Sequence, residues 1–129
     1  MKKIFISSDH AGFKLKETIK DYLTNKKVKF VDLGPKDDNR VDYPDYAHKV
    51  ARRVKLSKNN VGILVCGSGT GMNIAANKHK NIRAAQCFNI KSTKFSFLLL
   101  RWSLISSFNL NPAWSDEINI FFKLIKLII

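Results

Sequence analysis

Short apolar runs alternate with amphipathic stretches from the start of the chain to about Ser96. Ile4 to Ser7 reads as a first strand, followed by the polar turn Ser8-Asp9-His10-Ala11-Gly12. Leu15, Ile19, Tyr22 and Leu23 recur at helical spacing and predict a helix from Phe13 to about Leu23. Val28 to Leu33 predicts a second strand, stopped by Gly34-Pro35. After the charged loop Lys36 to Asp42, Tyr43-Pro44-Asp45 opens a second helix, with Pro44 near its first turn and Tyr46, Ala47, Val50 and Val54 inward. Ser57 to Asn60 is a linker. Val61 to Val65 is a continuous apolar run of the kind that forms a buried parallel strand. A glycine-rich turn, Cys66-Gly67-Ser68-Gly69-Thr70-Gly71, leads into a helical pattern through Met72, Ile74, Ala75 and Ala76 that ends near Lys80. Ile82 to Cys87 reads as a fourth strand, and Ile90 to about Ser96 as the start of another helix.

Strands alternating with helices predict an α/β fold: a Rossmann-like open parallel sheet with helices on both faces, three layers in all. In the flavodoxin-like order 2-1-3-4 the topological switch point lies between the first and third strands, and ligands bind beyond their carboxyl ends. That places Ser8 to Gly12 beside Cys66 to Gly71, and so Asp9 and His10 beside Cys66.

The chain has 129 residues, enough for one domain with a real core. Its formal net charge of +13 invites a nucleic-acid reading. The bases, however, are lysines such as Lys14, Lys16 and Lys20 spread over helix surfaces, with no interleaved aromatic platforms, so a solvated surface is the better account. Met1-Lys2-Lys3 runs straight into the first strand without a secretory leader, and no apolar run approaches the roughly 20 residues of a membrane span. With Cys66 and Cys87 the only cysteines, the expectation is a reduced, cytoplasmic protein.

The candidate chemistry gathers at the glycine turn. No Gly-Lys-Ser/Thr follows it, so it is not a P-loop, and Met72 stands where a dinucleotide fingerprint needs its last glycine. A loop of this kind can aim backbone N–H groups at a small anion or an oxyanion. The plainer account is a tight turn between strand and helix. Cys66, at a helix N-terminus, is expected to have a lowered pKa and to react as thiolate; the alternative is a small buried hydrophobe. Cys87 fits core packing, and the spacing of the two thiols suits neither a redox pair nor zinc. His10 is a candidate for phosphate or hydroxyl binding; otherwise Asp9 caps the first helix and His10 is merely exposed. His48 and His79, on helices, are expected to face solvent, while Tyr43 is close enough to line the pocket.

Ser8-Asp9-His10-Ala11-Gly12, Asp42-Tyr43-Pro44, Cys66 to Gly71, and Ala75-Ala76-Asn77-Lys78 with Ile82-Arg83-Ala84 together resemble ribose-5-phosphate isomerase B. That family also includes the galactose-6-phosphate isomerase subunits. The resemblance covers about Met1 to Ser96, and the cysteine favours the ribose enzyme. It implies a homodimer (or tetramer) that needs no metal or cofactor and interconverts ribose 5-phosphate and ribulose 5-phosphate through an enediolate. Cys66 would move the proton between C1 and C2. The amides of Gly67, Ser68, Gly69, Thr70 and Gly71, with the Ser68 hydroxyl, would hold the enediolate oxygen. Asp9, His10 and Tyr43 would contact the sugar phosphate. Enediolate formation independently calls for a base at carbon and preorganised donors at oxygen, which the thiol and the glycine turn can supply.

The chain changes character near Ser96, which divides residues 1–96, the isomerase-like core, from residues 97–129, an atypical apolar tail. All six glycines lie at or before Gly71, and both tryptophans, Trp102 and Trp114, lie in the tail. Where the family carries a His-Asn pair for ring opening and substrate binding, this chain has Leu99 and Leu100. The family also carries phosphate-binding arginines near its C-terminus; after Ser96 this chain has one arginine, Arg101, and none of that pattern. The abrupt loss of pattern resembles a frameshift. The expectation is an isomerase impaired by its tail, or else a non-catalytic sugar-phosphate-binding or oligomer-forming member. The tail is expected to pack on the open edge beside the fourth strand or across a subunit interface, or else to drive aggregation.

Overall fold

The structure is a computed structural model; it describes residues 3–87, 91 and 104–108. The elements are β1 (Lys3–Ser8), α1 (Phe13–Asn25), β2 (Phe30–Asp32), α2 (Tyr43–Val54), β3 (Asn60–Val65), α3 (Thr70–Asn77), β4 (Arg83–Cys87) and β5 (Leu104–Phe108). Among the described residues the strands all pair in parallel, in the order β2-β1-β3-β5-β4. This confirms the parallel α/β class and the reversal of direction between β1 and β3. One neighbour differs from expectation. β5, which lies within the stretch read as a tail, sits between β3 and β4 instead of beside the outer edge of β4. An interior strand has its backbone groups paired on both sides, and β5 fills the gap that α3 leaves when it carries the chain past one strand position. The expected helix from Ile90 to Ser96 lies outside the described residues, apart from Lys91.

The two faces of the sheet carry separate cores. Ile4, Ile6, Ile63, Val65 and Cys87 pack with Ile19 and Leu23 of α1. Phe5, Leu64 and Cys66 pack with Ala47, Val50, Ala51 and Val54 of α2 and with Met72, Ala75 and Ala76 of α3. The alternation of neighbours along β1 and β3 follows from the period of two of a strand. In α2 the i, i+3, i+4, i+7 spacing of Ala47, Val50, Ala51 and Val54 puts all four on one buried stripe. Full burial of a side chain such as Ile6 or Leu64 contributes about 1.5–3 kcal/mol.

One reading of the surface needs correction. Lys16, expected on a solvated helix face, is fully buried with Ile19 and Leu23 on the inner side of α1. Its ammonium meets both carboxylate oxygens of Asp32 and donates to the Pro35 carbonyl, so the buried charge is compensated. No helix among the described residues is long and apolar enough to cross a membrane.

Candidate active site

Register places the site. Ser8 pairs with Val65, so the next residues, Asp9 and Cys66, leave the sheet side by side at the carboxyl ends of β1 and β3. The Asp9 N–H donates to the Val65 carbonyl at 3.0 Å, and its Oδ1 accepts the Gly12 N–H at 2.7 Å. Asp9 therefore caps the turn before α1 while remaining buried against β3. Gly12 is required by close approach: a Cβ there would stand 2.2 Å from the Val65 carbonyl oxygen and 2.9 Å from the Cys66 nitrogen.

Cys66 is 4% exposed, and its Sγ accepts the Gly69 N–H at 2.9 Å. The expected depression of its pKa is not found. Burial raises the thiol above its ordinary value, and the nearby Asp9 carboxylate pushes the same way; donation by the Gly69, Met72 and Ser68 amides lowers it, but not enough to reverse the shift. The N-terminus of α3 does solvate the sulfur, yet removal from water counts for more.

The three glycines of the turn have separate reasons. Gly69, with φ +78°, occupies the left-handed region. Gly71 lies under the Tyr43 ring, which a Cβ would meet at 2.7 Å. Gly67 faces the Ala11 Cβ at an ordinary 3.4 Å. Ser68 Oγ accepts the Thr70 N–H at 3.3 Å, which leaves the hydroxyl proton for another acceptor. Tyr43, at the start of α2 and 42% exposed, thus packs on the glycine turn, as its place on the second loop suggested.

His10 is exposed and takes a different direction. Its Nδ1 faces the Val41 N–H at a long 3.5 Å, toward the loop after β2. With Nδ1 as the acceptor, the neutral ring carries its proton on Nε2. A hollow of about 620 Å³ opens beside that loop, between Asp32, Pro35, Lys36, Val41 and Lys49. Its lining, among the described residues, carries no thiol or imidazole, and Cys66 lies two strands further in, after β3.

Two features escaped the sequence. Gln86 of β4 donates through Nε2 to the Ser68 carbonyl at 2.7 Å and to Thr70 Oγ1 at 2.9 Å. Its only local signal was a polar residue between the small Ala84-Ala85 and Cys87. His48 and His79, expected to face solvent, are half-buried and face each other, with Nδ1 and Nε2 2.8 Å apart. Cys87 is fully buried in the core, as expected. Leu99, Leu100 and Arg101 lie outside the described residues.

The parallel sheet carries a thiol and a glycine turn at its switch point, and comparison with known proteins gives the class as sugar-phosphate isomerases. The sequence model of the ribose/galactose isomerase family matches residues 4–99, and the chain belongs to that family. Ribose-5-phosphate isomerase B of Escherichia coli is 44% identical over 96 residues, which cover 74% of this chain and 64% of that protein. Among solved structures, a ribose 5-phosphate isomerase of Thermotoga maritima superimposes with a TM-score of 0.82 at 36% identity, over 95% of this chain and 86% of that one. Ribose-5-phosphate isomerase B of Mycoplasma genitalium with bound ribulose-5-phosphate gives 0.75 at 32% identity, over 96% of each chain. The matched stretches span 63%, 60% and 59% of the length of three further curated relatives, all short of two thirds.

Proposed function

We propose that the chain is an aldose-ketose isomerase interconverting ribose 5-phosphate and ribulose 5-phosphate. The observation that carries this reading is the Cys66 sulfur, held at the switch point by the Gly69 N–H at 2.9 Å. As thiolate, Cys66 takes the C2 proton of the open-chain aldose, and the electron pair moves through C1 onto the carbonyl oxygen. The resulting enediolate is met by donors of the glycine turn, the amides and the Ser68 hydroxyl. Return of the proton to C1, with transfer of a proton from O2 to O1, completes the ketose. No net oxidant or reductant is required. Asp9, buried beside the thiol, and Tyr43, on Gly71, bound the sugar. His10, reaching the outer loop, has Nε2–H to offer the phosphate. The active unit we infer is a homodimer in the cytoplasm, the sheet and turn (residues 1–96) being the isomerase core and residues 97–129 an atypical tail.

The test is solvent exchange. In D₂O the purified chain should exchange the C2 proton of ribose 5-phosphate and form ribulose 5-phosphate, and Cys66→Ala should abolish both. Exchange that survives Cys66→Ala would remove the thiol from the mechanism. Because burial raises the Cys66 pKa, kcat/KM should climb through neutral into alkaline pH as thiolate forms.

A further inference from the structure

Gln86 is one strand beyond β5 from the strand that carries Cys66, yet its side-chain amide reaches over to the glycine turn. It bonds on both sides of Gly69: to the carbonyl of Ser68 at 2.7 Å and to the hydroxyl of Thr70 at 2.9 Å. The Ser68 carbonyl and the Gly69 N–H belong to one peptide unit. In a trans peptide these two groups point in opposite directions across one plane. The carbonyl end of this unit is held by Gln86, and the N–H end lies 2.9 Å from Cys66 Sγ. Fixing one end therefore fixes the other.

We propose that Gln86 is a positioning residue, whose side-chain amide locks the Ser68–Gly69 peptide with its N–H on the Cys66 sulfur. The lock is needed because Gly69 is a glycine at φ +78°. A residue without Cβ has other backbone conformations within reach, and rotation of this peptide would turn a carbonyl oxygen toward the sulfur and toward the oxyanion position. The Thr70 contact steadies the same turn from its helical side, where α3 begins. Gln86 itself is seated in β4 opposite Ser107 of β5, and Asn77 ties α3 to the same strand, accepting the Ala84 N–H and donating to the Ala84 carbonyl, each at 2.9 Å. The amide is thus carried by a braced element and not by a loose loop.

This inference deepens the isomerase reading, and its test does not depend on turnover. Gln86→Met keeps the length of the side chain and removes both N–H donors. Alkylation of Cys66 by iodoacetamide, followed by peptide mass spectrometry across pH, reads the thiol directly. The Gly69 N–H favours the thiolate, so its loss should move the Cys66 midpoint up by about one pH unit, a typical worth for a hydrogen bond to a charged group. Cys87, fully buried on the same strand as Gln86, is the internal control and should stay protected. An unmoved Cys66 midpoint overturns the proposal, and so does loss of protection at Cys87 together with Cys66, which marks general loosening of the strand. If Gln86→Met does not fold, amide exchange in the unsubstituted chain decides: the Gly69 N–H should be protected, and exchange at the rate of an unstructured glycine overturns the proposal. A chain without isomerase turnover whose Cys66 midpoint still moves would lose the activity assignment and keep the role of Gln86.

Discussion

The Lys16 ammonium lies 3.1 Å from each carboxylate oxygen of Asp32, and the lysine side chain has no exposed surface. Around this pair the ends of two strands are tied together. Asp32 Oδ1 accepts the Gly34 N–H at 2.9 Å, and the Gly34 carbonyl accepts the Ser7 hydroxyl at 2.8 Å and the Ser8 N–H at 3.1 Å. The buried lysine therefore holds the end of β2 against the end of β1, immediately before Asp9.

Lys16→Met should fold but lose about 2–3 kcal/mol, because Asp32 keeps Lys20 at 2.7 Å while the Pro35 carbonyl loses its donor. Urea denaturation at neutral pH measures it. Asp32 also sets an acid limit. Burial raises its pKa, but bonds from Lys20, the Gly34 amide and Lys16, with the Lys16 charge, outweigh burial and leave it below its ordinary 3.8. A depressed carboxylate contributes stability above the unfolded-state value and loses it as pH falls through the folded-state value. Asp32→Asn should therefore cost stability at neutral pH and flatten the acid arm of the stability profile below about pH 4.

Gly12→Ala and Gly67→Ala separate close approach from ordinary space. A methyl at Gly12 meets the Val65 carbonyl oxygen at 2.2 Å, backbone that has nowhere to go, and should destabilise by about 2–3 kcal/mol while lifting Asp9 away from Cys66. A methyl at Gly67 meets only Ala11 at 3.4 Å and should change stability by less than about 0.5 kcal/mol. Equal denaturation midpoints for the two variants would contradict the packing of the first loop on β3.

The imidazoles of His48 and His79 join α2 to the end of α3 with their nitrogens 2.8 Å apart. One ring must donate and the other accept, so the contact needs at least one neutral ring. The pKa of His79 is lowered from its ordinary 6.5, first by burial, then by His48, Lys55 and Arg52. The unfolded chain therefore takes up this proton at higher pH than the folded one. Stability from holding His79 neutral is present above 6.5 and is lost as pH falls through and below that value. The melting temperature should drop between pH 7.5 and 5.5, and His79→Gln should shrink that drop. An equal drop in both proteins would remove His79 as the cause.

By resemblance, Leu99 and Leu100 stand where the family carries its His-Asn pair. An alkyl side chain neither donates nor accepts a proton, so the proposed isomerase would open the cyclic sugar without that shuttle. Turnover of ribose 5-phosphate should be low, and Leu99→His with Leu100→Asn should raise it, with up to about 10²–10⁴-fold available from general acid–base assistance. Comparison of the purified chains, each confirmed by intact mass, measures the gain.

Residues close along the chain carried their own information. The apolar run to Val65 followed by Cys66 and alternate glycines specified a strand, a thiol at its carboxyl end and a turn opening a helix, because strand burial, left-handed backbone at Gly69 and helix initiation are local matters. The strand–helix rhythm then placed Asp9 beside Cys66, since a parallel crossover leaves little choice of topology. Tertiary structure decided what depends on distant partners. Lys16 is buried because Asp32 and Pro35 come to it; as an isolated helix residue it reads as solvated. The Cys66 pKa moves up because burial and Asp9 outweigh a helix N-terminus that local sequence makes visible while its burial stays hidden. Gly71 is a glycine for the sake of Tyr43, and Gln86 acts on a peptide 18 positions earlier in the chain. β5 enters between β3 and β4 because the sheet has a vacant ladder there, and a five-residue stretch cannot announce which gap it will fill.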